Sequence, residues 1–305
     1  QLMAINSYSS LQTAVANWLD RSDLTDRIEE FIDLAETRIN RALRVRLMEN
    51  VKVLSLIGGT KRYALPSDYL QLRTIKYTKA ALATDSLASD MTDAQTTIVL
   101  DDATPDGGML SGGFSSAGSV MIGLEQMDYT GISTNTLTGV TRAVNGTTAA
   151  AHSSGVTVAQ IYNTFTAGTI SDKTRTINPL QYVSPELLTR MYAGNSTGVP
   201  EVYTMRAGYF LFGPVPDSIY NLEIDYYAKV AALTDSATTN DMLTNNPDLY
   251  LYGSLLEAEP FLMNDQRVPL WLAAFEKAIS DIQLQDDKDA HSGTELRVMN
   301  TGGYH

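Results

Sequence analysis

The chain has 305 residues, of which 44% are hydrophobic and 19% are charged, and its formal net charge at pH 7 is −13. It contains no cysteine, which excludes disulfides and thiolate metal sites, and its three histidines are too few for a histidine-rich metal centre. The excess of acids argues against broad binding to phosphate backbones, because such binding needs clustered lysine and arginine. The length allows one large domain or two ordinary ones.

The apolar runs of the chain are too short for a membrane span. None approaches the ~18 residues that cross a bilayer. The N-terminus also lacks the basic region and hydrophobic core of a signal peptide. We therefore expect no membrane partner.

The first eighty residues predict two helices followed by strands. Ser9 or Ser10 can cap a first helix, in which apolar residues recur at helical spacing over 11–19. A stronger helix begins near Ser22 or Thr25. Its apolar stripe comprises Ile28, Phe31, Ile32, Ala35, Ile39 and Leu43, and strands are predicted at 51–57, 62–65 and 70–77.

The composition changes abruptly at Ala80. Residues 82–158 are mostly Thr, Ser, Gly, Ala and Asp, with few large apolar side chains. This composition predicts an inserted small β module, with turns at the Gly, Asn and Asp positions. Its predicted strands are 96–100, 119–124, 126–129 and 136–140.

After the insert the chain returns to longer apolar patterns. Ser184 caps a short helix predicted over 184–192, with Pro185 at its first position, and a hairpin turns at Ala207-Gly208. Residues 221–227 alternate, which predicts a half-buried antiparallel strand. Its buried face is expected to hold Leu222, Ile224 and Tyr226, and its exposed face Glu223, Asp225 and Tyr227.

Two further helices and a polar tail complete the chain. Pro247 opens a helix that is apolar around most of its circumference, and Asp265 is the expected cap of the last helix. Four helical segments with apolar stripes imply a compact bundle. We therefore predict an α+β fold with a mainly antiparallel helix-bundle core, short antiparallel strands and hairpins, an inserted small all-β domain and a flexible C-terminal tail. The predicted domains are a discontinuous core (1–81 and 159–285), the insert (82–158) and a C-terminal arm that docks to a partner (286–305).

No set of residues predicts catalysis. A catalytic triad needs a histidine beside its nucleophile, but His152 lies in the Ala-rich end of the insert, and His291 and His305 lie in the tail. The glycine pairs lack the context of a dinucleotide or Walker site, and the Asp-rich turns do not match an EF-hand. Glu223 and Asp225 are spaced like a glycosidase pair, although we interpret them as an exposed face. We expect a non-enzyme with no catalytic residues, cofactor or metal.

Four short blocks carry a resemblance to a known family. They are Tyr63–Tyr69 (YALPSDY), Phe212–Pro216 (FGPVP), Leu222–Tyr227 (LEIDYY) and Asn246–Gly253 (NPDLYLYG), in this order within residues 8–80 and 176–285. Together they resemble the head-to-tail adaptor (head completion or connector) proteins of short-tailed bacteriophages and related siphophages. These proteins join the portal to the tail.

The resemblance implies a structural protein of the virion neck. It implies a helix-bundle core, about twelve copies in a ring beneath the dodecameric portal, and a C-terminal arm that docks along the portal. The expected partners are the portal, further copies of the chain, a tail or nozzle protein and tail fibres. Double-stranded DNA is expected to pass through the channel without sequence-specific binding, and assembly is expected in the host cytoplasm.

The insert has a resemblance of its own. Tyr129–Ile132, Thr136–Arg142 and Asn145–His152 are similar to a small β module that recurs in phage structural proteins as a peripheral domain. The Arg-Gly step of that module is Arg142-Ala143 in this chain. An alternative function stays open: a tail fibre, a spike or a receptor-binding module whose insert recognises host glycans.

The arginines near the end of the second helix are the one basic concentration in the chain. They suit the negative end of the helix dipole, and they also suit an ion-pairing surface for the portal or a neighbouring subunit, or direct contact with DNA. The predicted interface residues are Arg38, Arg41, Arg44, Arg46, His291, Leu296, Arg297, Val298, Met299 and Tyr304.

Overall fold

The chain divides into two compact units. The computed structural model describes residues 4–79, 83–101, 113–168, 178–194, 196–262 and 266–290. The helical unit comprises Gln1–Glu49, Asp68–Gln71 and Tyr227–His305, and the sheet unit comprises Asn50–Ser67 and Leu72–Tyr226.

Helices dominate the helical unit and are rare in the sheet unit. Among the described residues the α-helices are α1 (Tyr8–Leu19), α2 (Thr25–Ala42), α3 (Pro185–Met191), α4 (Asp241–Asn245), α5 (Pro247–Phe261) and α6 (Val268–Ala290), of which α3 belongs to the sheet unit. The predicted cap of α3 is confirmed, since the Ser184 hydroxyl accepts a hydrogen bond from the backbone N–H of Leu187 at 3.3 Å.

Helix α1 begins with a reciprocal pair of serine hydrogen bonds. The Ser7 hydroxyl accepts from the backbone N–H of Ser10 at 3.2 Å, and the Ser10 hydroxyl accepts from the backbone N–H of Ser7 at 2.9 Å. This capping box satisfies N–H groups that a helix terminus leaves unbonded. The predicted cap at Ser9 or Ser10 is therefore wrong, because Ser7 is the cap and Ser10 is its partner.

The core of the helical unit forms where α5 packs between α2 and α6. Every residue of the predicted α2 stripe is buried, and α5 is buried around most of its circumference, as its composition predicts. Gly253 permits the close packing. A Cβ at this position would lie 3.1 Å from the Cβ of Ala35 on α2 and 3.1 Å from the ring of Phe275 on α6.

Helix α6 extends beyond its predicted end. It continues to Ala290, so residues 286–290 of the predicted arm are helical. Asp265, the predicted cap, lies outside the described residues, as do residues 291–305.

Most strands belong to the sheet unit, and many are very short. In the described part of the chain they are β1 (Glu49–Leu56), β2 (Arg62–Ala64), β3 (Tyr69–Thr78), β4 (Thr84–Ser86), β5 (Ile98–Val99), β6 (Gly118–Ile122), β7 (Glu125–Tyr129), β8 (Gly131–Ser133), β9 (Thr136–Thr138), β10 (Thr157–Ile161), β11 (Thr166–Ala167), β12 (Asn178–Pro179), β13 (Gln181–Tyr182), β14 (Thr197–Gly198), β15 (Val202–Arg206), β16 (Tyr209–Gly213), β17 (Val215–Pro216) and β18 (Tyr220–Ala228).

The longest strands share one sheet, in the order β11-β1-β18-β3-β12. Strand β18 is central, and most of its residues are buried on both faces. Glu223 is only 4% exposed, and its Oε1 lies 2.6 Å from Nζ of Lys76 on β3. The predicted exposure of this face is therefore wrong, because a lysine of the neighbouring strand compensates a carboxylate that alternation alone places in solvent.

A second sheet has the order β13-β15-β16-β2. Strands β14 and β17 form a separate two-stranded sheet. The predicted hairpin at Ala207-Gly208 is confirmed, because β15 and β16 pair antiparallel across it. Tyr203 and Phe212 face each other in this register and contribute aromatic rings to the interior.

The region of the predicted insert contains two small sheets, β4-β10-β6-β7 and β5-β9-β8. Apolar side chains from both sheets form one core, which includes Leu100, Val120, Met127, Leu137 and Val158. The predicted strands at 96–100, 119–124, 126–129 and 136–140 correspond to β5, β6, β7 and β9, whereas β4, β8 and β10 were not predicted. Strand β10 pairs with β4 and β6 and continues to Ile161.

The predicted fold class is wrong in its emphasis on a helix bundle. Among the described residues, eighteen strands in five largely antiparallel sheets occur beside six α-helices. Strands of two to five residues are too short to show an alternating pattern, whereas each long helix shows a clear stripe. Pairing between distant segments, which creates most of these sheets, leaves no local signal in the sequence.

The packing at Gly253 predicts the effect of a larger side chain. We expect Gly253→Val to lower the free energy of unfolding by about 1–3 kcal/mol, because its methyl groups would overlap Ala35 and Phe275. Urea unfolding followed by circular dichroism measures the change. Ser280→Val on the exposed side of α6 controls for the helix propensity of valine. Equal stability of the two variants would contradict the proposed close packing.

Candidate interaction surfaces

The predicted arginine cluster is divided among several partners. Nε of Arg38 donates a hydrogen bond to Oε1 of Glu257 on α5 at 2.6 Å, and the arginine side chain remains 43% exposed. This ion pair joins α2 to α5. Because the pair is partly exposed, its contribution to stability is within about 1 kcal/mol.

Arg44 satisfies the C-terminal end of α2. Its Nη1 donates hydrogen bonds to the carbonyl oxygens of Asn40 at 2.7 Å and Leu43 at 2.5 Å. A cation beside the last carbonyls of a helix opposes the negative end of its dipole. For Arg44, the geometry is the one that the helix-terminus interpretation predicts.

Arg46 binds the last turns of α6. Its Nε lies 3.0 Å from Oδ1 of Asp286, its backbone N–H donates to the same oxygen at 3.1 Å, and its Nη2 lies 3.7 Å from Oδ2 of Asp289. These groups line a shallow cleft of about 340 Å³ that also includes Val45, Asn245 and Ile282. The cleft therefore has both an ion-pair network and apolar walls.

Arg41 is the member of the cluster that stays available to a partner. It is exposed on α2 and makes no hydrogen bond or ion pair with the described residues. Arg38, Arg44 and Arg46 thus each have a different partner within the chain. The other predicted interface residues lie outside the described residues: His291, Leu296, Arg297, Val298, Met299 and Tyr304.

A buried acid lies within the helical unit. Glu36 is 6% exposed, and its Oε1 accepts hydrogen bonds from the backbone N–H of Leu233 at 3.0 Å and from the hydroxyl of Tyr250 at 3.3 Å. Burial and the charge of Asp33 raise the pKa of Glu36 to about 7, against the opposing effects of the hydrogen bonds from Leu233 and Tyr250. Glu36 falls on the apolar stripe between Ile32 and Ile39, a signal that sequence reasoning missed.

Asn240 extends this network into the segment before α4. Its Nδ2 donates to the Tyr250 hydroxyl at 2.8 Å and to the carbonyl oxygen of Ala231 at 2.6 Å. Its Oδ1 accepts from the backbone N–H of Leu243 at 2.7 Å and caps α4. Asn240 therefore links the polar segment between β18 and α4 to α4 and α5 through hydrogen bonds that are partly buried.

A second buried acid holds the insert together. Arg142 forms a bidentate pair with Glu125, with both N–O distances at 2.7 Å, and Nε2 of His152 lies 2.8 Å from Oε2 of Glu125. Burial raises the pKa of Glu125, but hydrogen bonds from Arg142, His152 and the backbone N–H of Ala150, together with the charge of Arg142, lower it to about 2. Nη1 of Arg142 also donates to the carbonyl oxygen of Thr92 at 2.6 Å.

This network accounts for His152 in structural terms. Its imidazole contacts a carboxylate that is already paired with arginine, and the three side chains connect separate turns of the insert. Removing one partner of a buried ion pair of this kind lowers the free energy of unfolding by several kcal/mol, because the other charge stays unpaired. The motif that sequence reasoning associated with a phage module is thus the part that fixes the loops of this region.

Ala143 adopts the conformation that glycine favours. Its φ is 55° and its ψ 39°, and it follows Arg142 where the related module has glycine. A Cβ in the left-handed region costs about 1–2 kcal/mol, since it approaches the next carbonyl oxygen. The turn predicted from the Arg-Gly step therefore forms despite the alanine.

Both units expose apolar side chains. On the helical unit Trp18 is 47% exposed and packs edge-on against Trp271, and Phe261 is 53% exposed against Phe31. On the sheet unit the exposed side chains include those of Leu124, Tyr182, Leu187, Met191 and Val199. Exposed aromatic and aliphatic groups are common at subunit contacts.

Comparison with known protein families identifies the chain. Residues 6–119 and 126–299 match the family described as SU10 adaptor protein. The chain therefore belongs to the SU10 adaptor protein family, and the resemblance to phage head-to-tail adaptors is confirmed. A search of curated proteins gives no match. In the described residues no helix is both long and apolar enough to cross a membrane, and no group of three or more potential metal-binding side chains occurs.

The buried Glu36 predicts a pH dependence. Its pKa is raised above the ordinary 4.5, so the folded state binds more protons than the unfolded state between pH 4.5 and about 7, and stability falls as pH rises through this window. We expect Glu36→Gln to remove this fall. Between pH 4.5 and pH 8, the free energy of unfolding of the variant should rise by on the order of 1–3 kcal/mol relative to that of the unmodified protein.

Urea unfolding at the two pH values measures this difference. Glu276→Gln, on the exposed side of α6, is the matched carboxyl-to-amide control. The difference in free energy of unfolding between this variant and the unmodified protein should change by less than about 0.5 kcal/mol from one pH to the other. A parallel pH trend for Glu36→Gln and the unmodified protein would show that Glu36 does not titrate in this window.

The turn at Ala143 predicts a stabilising substitution. We expect Ala143→Gly to raise the free energy of unfolding by up to about 1 kcal/mol, because relief of the left-handed strain exceeds the added entropy of the unfolded chain. Thermal unfolding measures the shift. Ala88→Gly, an exposed position of the insert where φ is not positive, should instead destabilise by about 0.4–1 kcal/mol. Destabilisation by both changes would argue against strain at Ala143.

Proposed function

We propose that the chain forms a ring, of about twelve copies, beneath the portal of a tailed bacteriophage. In this role it extends the DNA channel of the filled head and provides the surface to which the tail attaches. The observation that carries the proposal is the match to the adaptor family along nearly the whole chain. The four blocks that resemble head-to-tail adaptors fall within the matched residues.

The charge distribution supports passage of DNA without binding. By sequence, the helical unit has 11 Lys and Arg against 21 Asp and Glu, a net of −10, and the sheet unit has 11 against 14, a net of −3. Acidic surfaces repel the phosphate backbone and keep the local concentration of DNA low. A channel wall of this sign favours sliding over adhesion.

The proposed contacts with the portal use the C-terminal arm and Arg41. The arm contributes His291, Leu296, Arg297, Val298, Met299 and Tyr304, and Arg41 supplies an exposed cation near the end of α2. Docking through a C-terminal segment suits a subunit that joins a preformed ring. Arg38, Arg44 and Arg46 contribute through their exposed parts, since each also binds within its own chain.

The insert is proposed to be a peripheral module of the neck. Residues 82–158 have their own apolar core and their own buried ion-pair network, as a module that projects from a ring requires. A tail or nozzle protein is the proposed partner below the ring, and tail fibres are the proposed partners of the insert. The site of assembly is proposed to be the host cytoplasm.

The proposal predicts that the portal induces ring formation. We expect the purified chain to be largely monomeric and to form rings, visible by electron microscopy, when mixed with the portal of the same phage. Deletion of residues 291–305 should abolish portal binding and change the melting temperature by less than about 2 °C, because among the described residues the ion pairs of α6 lie at or before Asp289 and stay intact.

Two controls make the result specific. A chain whose residues 291–305 are shuffled keeps the length and composition of the arm, and it should fail to bind as the deletion does. Lys277→Glu, an exposed change on α6, should bind normally. Absence of rings with the intact chain would refute the proposed function, and rings with the deleted chain would exclude the arm as the docking element.

A further inference from the structure

The β15–β16 hairpin ends in a tight turn that presents two side chains together. Ala207 and Gly208 have φ values of 51° and 79°, the positive values of the two-residue turns that match strand twist. The turn places Arg206 directly opposite Tyr209 in the antiparallel register. Opposed residues of paired strands project from the same face of the sheet.

A second arginine joins them from the neighbouring strand. Arg62 on β2 lies in the register next to β16, and its guanidinium carbon is 4.3 Å from the centre of the Tyr209 ring. Stacking on an aromatic face orients the guanidinium without neutralising it. Arg62, Tyr209 and Arg206 therefore form a row across three strands, which we name the arginine–tyrosine row.

The cations of this row have no acidic partner in the described part of the chain. Both arginines are exposed, and neither forms an ion pair there. By contrast, Lys76 of the sheet unit pairs with Glu223 and Arg142 with Glu125. The row is also held in place, because the backbone N–H of Leu65 donates to the carbonyl oxygen of Gly208 at 2.9 Å. It is a fixed cationic surface on an acidic protein.

The helical unit presents a surface of opposite charge. Asp26, Glu29, Glu30 and Asp33 are exposed on α2 at spacings of three and four, which places them close together on the helix surface. Arg27 of the same helix pairs with Glu30 at 2.7 Å, and Glu29 accepts a hydrogen bond from Gln12, so the face keeps a net negative charge but is not purely acidic. Acids near a helix N-terminus are favoured by its dipole, but Asp33 lies beyond the first two turns. The acidic charges also act on a neighbouring side chain. Burial is the main cause that raises the pKa of Tyr8, and the charges of Glu29 and Asp33 raise it further.

We propose that the arginine–tyrosine row of one copy binds the acidic face of α2 (Asp26, Glu29, Glu30 and Asp33) in a second copy. The contact joins two different surfaces, so it is heterologous and repeats from copy to copy until a ring closes. It supplies the subunit-to-subunit interaction of the ring and therefore rests on the proposed function. Guanidinium groups suit such a contact because they bind carboxylates in a bidentate manner.

Complementary charge favours a second copy over DNA as the occupant. The row has two arginines, whereas a protein held by phosphate contacts commonly uses about 6–10 of them. The net charge of −13 also repels DNA from the chain as a whole. Every copy, in contrast, has both the row and the acidic face, so each assembled subunit presents the partner surface to the next.

Cross-linking between copies tests the proposal, since the chain has no cysteine of its own. Ala64→Cys lies opposite Tyr209 in the register, and Thr37→Cys is exposed one turn beyond Asp33. The two variants, one of them mass-tagged, are mixed at high concentration with a short bismaleimide, with and without portal. Ser280→Cys, exposed on α6, replaces Thr37→Cys in the control mixture.

We expect the yield of the cross-linked heterodimer of Ala64→Cys and Thr37→Cys to exceed that of the control heterodimer by at least about tenfold, since opposite charges bring these positions together. Adding Arg62→Glu and Arg206→Glu to the first variant should return the yield to the control level. Adding Asp26→Lys and Asp33→Lys to the second variant should restore it. This rescue excludes loss of folding as the cause.

A yield no higher than the control in both conditions overturns the proposal, as does a yield that charge reversal leaves unchanged. Binding of a short DNA duplex that depends on Arg62 and Arg206, together with a cross-link yield at the control level, also overturns the proposal in favour of DNA. The two proposals fail separately. Rings on the portal without this cross-link refute the contact alone, and the cross-link without portal binding refutes the proposed function alone.

Discussion

The pairing of β18 between β1 and β3 is the constraint on which the rest of this fold depends. A central strand has two rows of backbone N–H and C=O groups, and both rows need partners when they are buried. For β18 those partners come from the first eighty residues, so the chain between β3 and β18 has to leave the sheet and return to it. Lengthening such an excursion costs little further loop entropy, so the sheet can form although many residues separate β3 from β18.

Buried carboxylates then fix where the irregular segments lie. Glu223 pairs with Lys76, Glu125 pairs with Arg142 and contacts His152, and Glu36 accepts hydrogen bonds from Leu233 and Tyr250. Each acid connects segments that are distant in sequence. Because an unpartnered buried acid is costly, alternative arrangements of these loops are disfavoured more strongly than apolar contacts alone would achieve. The acids thus specify the fold, whether or not they add to its stability.

The two units differ in charge, and the difference suits an adaptor subunit. The acid surplus is concentrated in the helical unit, whereas Arg62 on β2 and Arg206 on β15, which form no ion pair with the described residues, lie in one sheet of the sheet unit. Under the proposed function, the opposite charges of these two surfaces favour contact between copies, and the net charge disfavours DNA binding. Both contact between copies and weak DNA binding suit a protein of the adaptor family to which the chain belongs.

The sequence by itself determined the long helices, the hairpin at Ala207-Gly208 and the family, because stripes, turn residues and ordered motifs are local signals. It also pointed to the Arg142-Ala143 turn through the glycine that is missing there. Only the tertiary structure decided the fold class, since strands such as β11 and β12 are two residues long and exist through partners far along the chain. It likewise decided the partners of Arg38, Arg44 and Arg46, because a helical pattern gives the face of an arginine but not the carboxylate or carbonyl that packing brings to it.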